Sequence, residues 1–113
     1  MERTMNRIAK FEKISVEQFV ADFQNAFPQT EAEKATEIYE AIRLPKRATT
    51  GSAGYDYFSP IEFTLKPGES IRIPTGIRAR MADGWVLCNF PRSGQGFKFR
   101  LQLNNTVGII DSD

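Results

Sequence analysis

Asn89-Phe90-Pro91-Arg92-Ser93-Gly94-Gln95-Gly96-Phe97-Lys98-Phe99-Arg100-Leu101-Gln102-Leu103-Asn104-Asn105-Thr106-Val107-Gly108-Ile109-Ile110-Asp111-Ser112-Asp113 is the stretch around which this chain of 113 residues is organised. It opens with a turn that carries a cation and a hydroxyl, Pro91-Arg92-Ser93-Gly94. Phe97, Phe99, Leu101 and Leu103 then alternate with polar residues, the period of a strand with one covered face. Asn104-Asn105 suits a hairpin tip, because asparagine tolerates positive φ. The return strand ends by delivering the carboxylate of Asp111.

Upstream of this stretch the same period holds. Ile61, Phe63 and Leu65 alternate, and Lys66-Pro67-Gly68-Glu69 supplies a turn. Ile71 and Ile73 alternate before Pro74, Thr75-Gly76 turns the chain, and Ile77, Ala79 and Met81 give the next apolar face. After Asp83-Gly84, the nearly continuous apolar run Trp85 to Phe90 reads as a strand buried on both faces. Strands about 8–12 residues apart, punctuated by glycine and proline, predict an all-β sandwich or barrel.

Residues 1–43 differ in kind. Ser15-Val16-Glu17-Gln18 has the spacing of a capping box, followed by Phe19, Val20 and Phe23 on one helical face. Pro28 interrupts, Thr30-Glu31-Ala32-Glu33 offers a second capping box, and Ala35, Ile38, Tyr39 and Ile42 recur at helical spacing. The expected organisation is a helical N-terminal extension over 1–43, packing on one end of a β domain over 44–113.

Composition narrows the function classes. A net charge of +1 without a basic block argues against nucleic-acid binding, while leaving room for a small anionic ligand. Cys88 is the one cysteine and histidine is absent, so a disulfide framework, classical zinc sites and Ser-His or Cys-His nucleophiles are excluded within one chain. No apolar run reaches the roughly 18 residues of a membrane span. Met1–Lys10 is charged and lacks the apolar stretch of a signal peptide, so the chain reads as cytoplasmic.

Four places carry groups able to do chemistry. Gly51-Ser52-Ala53-Gly54-Tyr55-Asp56 permits close backbone approach, either to a ligand or to a packed neighbour, and Asp56 has no cationic neighbour in sequence. Arg92 presents a planar fork suited to phosphate, with Ser93 and the unobstructed Gly94 amide beside it; an exposed turn would look the same. The Asn105 amide matches a donor and an acceptor on a nucleobase edge, though a plain hairpin also favours it. Asp111, at the end of an apolar strand and partly desolvated, is suited to act as a general base. The Asp111-Ser112-Asp113 spacing also fits a calcium-loop fragment, but the later ligands and the glycine are missing. A guanidinium, a hydroxyl, free amides and an acid are the set that polyphosphate hydrolysis requires.

In order and spacing these segments resemble the homotrimeric dUTPases. The first family motif is similar to Ser52-Ala53-Gly54-Tyr55-Asp56, the second to Pro91-Arg92-Ser93-Gly94, and the third to Asn105-Thr106-Val107-Gly108-Ile109-Ile110-Asp111-Ser112-Asp113. Leu65-Lys66-Pro67-Gly68-Glu69 and Pro74-Thr75-Gly76-Ile77 match the framework between motifs. The resemblance covers residues 44–113 and implies a mainly β fold, a jelly-roll-type distorted β-barrel. It implies conversion of dUTP to dUMP and pyrophosphate, with Asp111 activating the attacking water. Arg92, Ser93 and Gly94 would hold phosphate oxygens, and Asn105 with the backbone of Gly108, Ile109 and Ile110 would read uracil. Mg²⁺ is the implied cofactor, held by phosphates and waters and met by Asp56 through water. Three chains would build shared sites, with no DNA, RNA or membrane partner. The family's aromatic residue after the third motif and its fourth and fifth motifs have no counterpart, so the expected barrel is incomplete at its C-terminus. Three rivals stand beside this reading. They are a non-catalytic remnant that binds nucleotide, a dCTP deaminase sharing the Arg-Ser turn, and an interaction module built on the N-terminal helices.

Overall fold

The computed structural model describes residues 7–92, 103 and 107–113. Its elements are β1 (Ala9–Lys13), α1 (Val16–Ala26), α2 (Ala32–Glu40), β2 (Ile77–Met81), β3 (Val86–Asn89) and β4 (Gly108–Asp111). Two compact units result, Phe11–Arg78 and Met1–Lys10 with Ala79–Asp113. The fold is β-rich with two short N-terminal helices, as expected. Among the described residues the strands form two two-stranded sheets, β1–β2 and β3–β4, and no closed barrel is seen.

The Phe11–Arg78 unit is built on its helices. Ser15 has extended backbone, and its Oγ accepts a hydrogen bond from the Gln18 amide at 3.2 Å, so α1 starts where the capping pattern placed it. Phe19 and Phe23, four residues apart, fall on one face, and their rings lie 5.5 Å apart. Tyr39 from α2 stands 5.7 Å from the Phe19 ring, and fully buried Ala35 lets the two helices approach closely. Phe19, Phe23 and Ala35 are the core, with Ile14, Val20, Phe27, Ile38, Tyr39, Ile42 and Ile61 packed against it. The Tyr39 hydroxyl donates to the Ile14 carbonyl at 2.7 Å, and Lys13 Nζ donates to the Tyr39 carbonyl at 3.1 Å. Ser15→Ala is expected to cost about 1 kcal/mol, readable as a lower denaturation midpoint with an unchanged slope.

The second cap differs from expectation. Glu31, not Thr30, occupies the N-cap of α2, and it makes no side-chain capping bond. Thr30 is spent in the turn: its amide donates to the Phe27 carbonyl at 3.0 Å, and its own carbonyl accepts Gln24 Nε2 at 3.1 Å. The strand β1 was also not foreseen, because its alternation, Ala9-Lys10-Phe11-Glu12, is short and lies in a charged stretch. In the first unit, Ile14 donates to the Gly76 carbonyl at 2.9 Å, and the Arg78 guanidinium donates to Glu12 Oε2 at 2.8 and 3.1 Å. In the second, Ala82 donates to the Ile8 carbonyl at 2.8 Å.

Turns are where the sequence placed them at Lys66–Glu69 and Asp83-Gly84, with Gly68 at φ 84° and Gly84 at φ 85°. The alternating segments around Ile61–Leu65 and Ile71–Ile73, by contrast, form no strand. Alternation selects a face but not a ladder partner, and Pro60, Pro67 and Pro74 each withhold a donor. The run from Trp85 to Phe90 includes β3, but it is not buried on both faces. Trp85 is 51% exposed, Val86 50% and Phe90 67%. A continuous apolar run marks a doubly covered strand only where layers cover both sides, and among the described residues β3 pairs with β4 alone.

Candidate functional site

In the Phe11–Arg78 unit, the chain folds back on itself around the glycine- and serine-rich segment. The Asp56 amide donates to the Lys46 carbonyl at 2.8 Å and the Lys46 amide to the Asp56 carbonyl at 3.2 Å, an isolated antiparallel bridge. Between them Ser52 closes a turn. Its amide donates to the Thr49 carbonyl at 3.1 Å, and its Oγ accepts the Thr49 amide at 3.1 Å and lies 3.0 Å from Thr49 Oγ1. Arg47 ties the same turn by donating to the Thr50 carbonyl at 3.0 Å, with its guanidinium 5.6 Å from the Tyr55 ring. Arg43 lies 3.9 Å over the ring of Phe58. Asp56 thus has a cationic neighbour after all, Lys46, brought opposite by the fold-back, although no ion pair joins them among the described residues. The missed signal was symmetric: Lys46 and Arg47 precede Gly51 by the same distances at which Asp56 and Tyr55 follow it.

In the other unit, β3 and β4 run antiparallel, with Val86 opposite Asp111, Leu87 opposite Ile110, Cys88 opposite Ile109 and Asn89 opposite Gly108. This register sets Gly108, Ile109, Ile110 and Asp111 on consecutive positions of one strand. It follows the segment that leads from Asn89 to Arg92. A Cβ on Gly108 would meet the Cβ of Asn89 at 3.4 Å, so a larger residue there would crowd the strand pair. Arg92 is exposed, as is Asp111. The partly desolvated setting expected for Asp111 is therefore not found among the described residues: it stands exposed opposite Val86 at the end of a two-stranded sheet. Ser93, Gly94 and Asn105 lie outside the described residues, as does the expected hairpin tip at Asn104-Asn105.

A hydrated magnesium brought by an anionic ligand would fit the donor set of the described residues, with Asp56 as the carboxylate facing it. Among the described residues no three acidic, histidine or cysteine side chains cluster as metal ligands. Asp56 is half-buried and presents a single carboxylate without a side-chain partner among those residues. Magnesium commonly keeps its waters and takes one or two carboxylates together with phosphate oxygens.

Comparison with known proteins places these elements in context. The sequence profile of the dUTPase family matches residues 40–113. The deoxyuridine 5'-triphosphate nucleotidohydrolase of Burkholderia mallei is 49% identical over 73 residues, covering 62% of this chain and 49% of that protein. The protein of the same name from Burkholderia thailandensis gives the same identity and coverage. That from Paraburkholderia phymatum is 46% identical over 74 residues, covering 63% of this chain and 50% of that protein. The chain spans about half the length of the curated relatives it matches. No solved structure gives a significant match.

Proposed function

We propose that this chain, which belongs to the dUTPase family, carries the uracil- and phosphate-reading part of a dUTP diphosphatase that converts dUTP to dUMP and pyrophosphate. The observation that carries this reading is the family match over residues 40–113, which contains all three motifs in order. Asp111 is the base that takes a proton from the attacking water. Its exposure leaves it open to solvent and to substrate. Arg92, Ser93 and the Gly94 amide hold phosphate oxygens by charge-assisted and amide hydrogen bonds. Asn105 and the backbone of Gly108, Ile109 and Ile110 read the uracil edge. Support comes from β4, whose second edge has no strand partner among the described residues and so leaves peptide groups free for a base. Asp56 would meet the hydration shell of a magnesium bound with the triphosphate, and that ion would supply charge neutralisation for the departing pyrophosphate.

The working form in this reading is a homotrimer with shared sites. Support comes from the exposed apolar residues Trp85, Val86, Phe90, Ile109 and Ile110 in and beside β3 and β4, apolar area that association with another chain would cover. Residues 1–43 act as an extension of the family domain at 44–113. No nucleic-acid or membrane partner enters, and the compartment is the cytoplasm. None of the described helices is long and apolar enough to cross a membrane.

Pyrophosphate release from dUTP with magnesium, assayed beside ammonia release from dCTP, tests the reaction class. Release of pyrophosphate from dUTP alone is the expected result. Ammonia from dCTP would instead identify the deaminase chemistry, and no release from either would remove catalysis from the reading.

A further inference from the structure

Phe11 lies outside the family match, yet it touches the first motif. Its ring is 5.4 Å from that of Tyr55 and 5.7 Å from that of Tyr57, in tilted and edge-on arrangements. Tyr55 and Tyr57 flank Asp56, which is held in extended pairing with Lys46. In extended backbone, residues two apart project to one side and the residue between them to the other. One ring touching both tyrosines therefore braces the backbone from behind Asp56 and leaves the carboxylate on the opposite side. Arg47 lies against the Tyr55 ring as well, and burial raises the Tyr57 hydroxyl above its ordinary pKa.

We propose that Phe11 is a positioning residue for Asp56: by packing on Tyr55 and Tyr57 it fixes the segment that presents this carboxylate to a magnesium-bound triphosphate. The proposal rests on the functional reading above for its ligand, but the brace itself does not. The segment before the family domain thus serves the site as well as the helical core.

Two measurements test it on the full chain. The first is amide hydrogen exchange in the free protein. In Phe11→Ala, exchange of the Asp56 amide is expected to speed up about tenfold, with the amides of α1 and of β3–β4 unchanged; Phe11→Tyr should restore slow exchange. Unchanged exchange at Asp56, or faster exchange throughout the molecule, would overturn the proposal. The second is calorimetric binding of a non-hydrolysable dUTP analogue at varied magnesium. Phe11→Ala should raise the magnesium midpoint by about tenfold while leaving metal-free binding alone, and the shift should vanish in an Asp56→Asn background. A shift that persists with Asp56→Asn would assign Phe11 a purely structural role. Failure of the unaltered protein to bind the analogue at all would count against the functional reading, and exchange at Asp56 would still decide the brace.

Discussion

Phe19→Ala is expected to lower the unfolding free energy by about 3–5 kcal/mol, a large part of the roughly 5–15 kcal/mol that holds a domain folded. Phe19 is the largest fully buried side chain among the described residues. It joins α1 to α2 through Tyr39 and lies under the turn before β2. That turn has no slack. Gly76 sits at φ 71°, and a Cβ there would come within 2.6 Å of Ile42 Cδ1 and 3.0 Å of the Phe19 ring. Truncating the ring leaves a cavity under Gly76 and removes both of its aromatic neighbours' contacts. Chemical denaturation with an unchanged slope would report the loss, and a cost below about 1 kcal/mol would mean that the core closes over the gap or that Phe19 is not its centre.

Asp111→Asn is expected to lower pyrophosphate release from dUTP by about 10²–10⁴-fold while leaving analogue affinity nearly unchanged. The substitution keeps the shape of the side chain and removes its capacity to take a proton. Asp111 is exposed at the end of β4, opposite Val86, so the fold has little stake in its charge. A rate loss without loss of β3–β4 pairing would separate chemistry from structure. A variant that turns over as fast as the unaltered chain would remove Asp111 from the role of base.

The parts of the fold legible in sequence were those whose signals are local. Ser15 announces α1 because its side chain satisfies an amide three residues on, and the spacing of Phe19 and Phe23 gives the face that α1 buries. Gly68 and Gly84 mark turns because the chain needs positive φ there. What the sequence hid was pairing. The alternation at Ile61–Leu65 and Ile71–Ile73 is that of a strand, yet neither segment has a ladder, whereas β1, with only the short alternation Ala9-Lys10-Phe11-Glu12, does pair. Likewise the cationic neighbour of Asp56 lies ten residues upstream, and only the fold-back over residues 46–56 brings Lys46 opposite it. Phe11 was invisible for the same reason, since its contacts with Tyr55 and Tyr57 are long-range. The order of motifs survives all of this, because it depends on which residues are present and not on which strands they pair with.

The central claim, that this chain recognises a uracil deoxynucleotide, is tested most directly by calorimetric titration with a non-hydrolysable dUTP analogue and magnesium, beside the dCTP and dTTP analogues. The account predicts uracil-selective binding that magnesium strengthens and that Arg92→Ala weakens. Equal binding of all three analogues, or none by a folded sample, would contradict it.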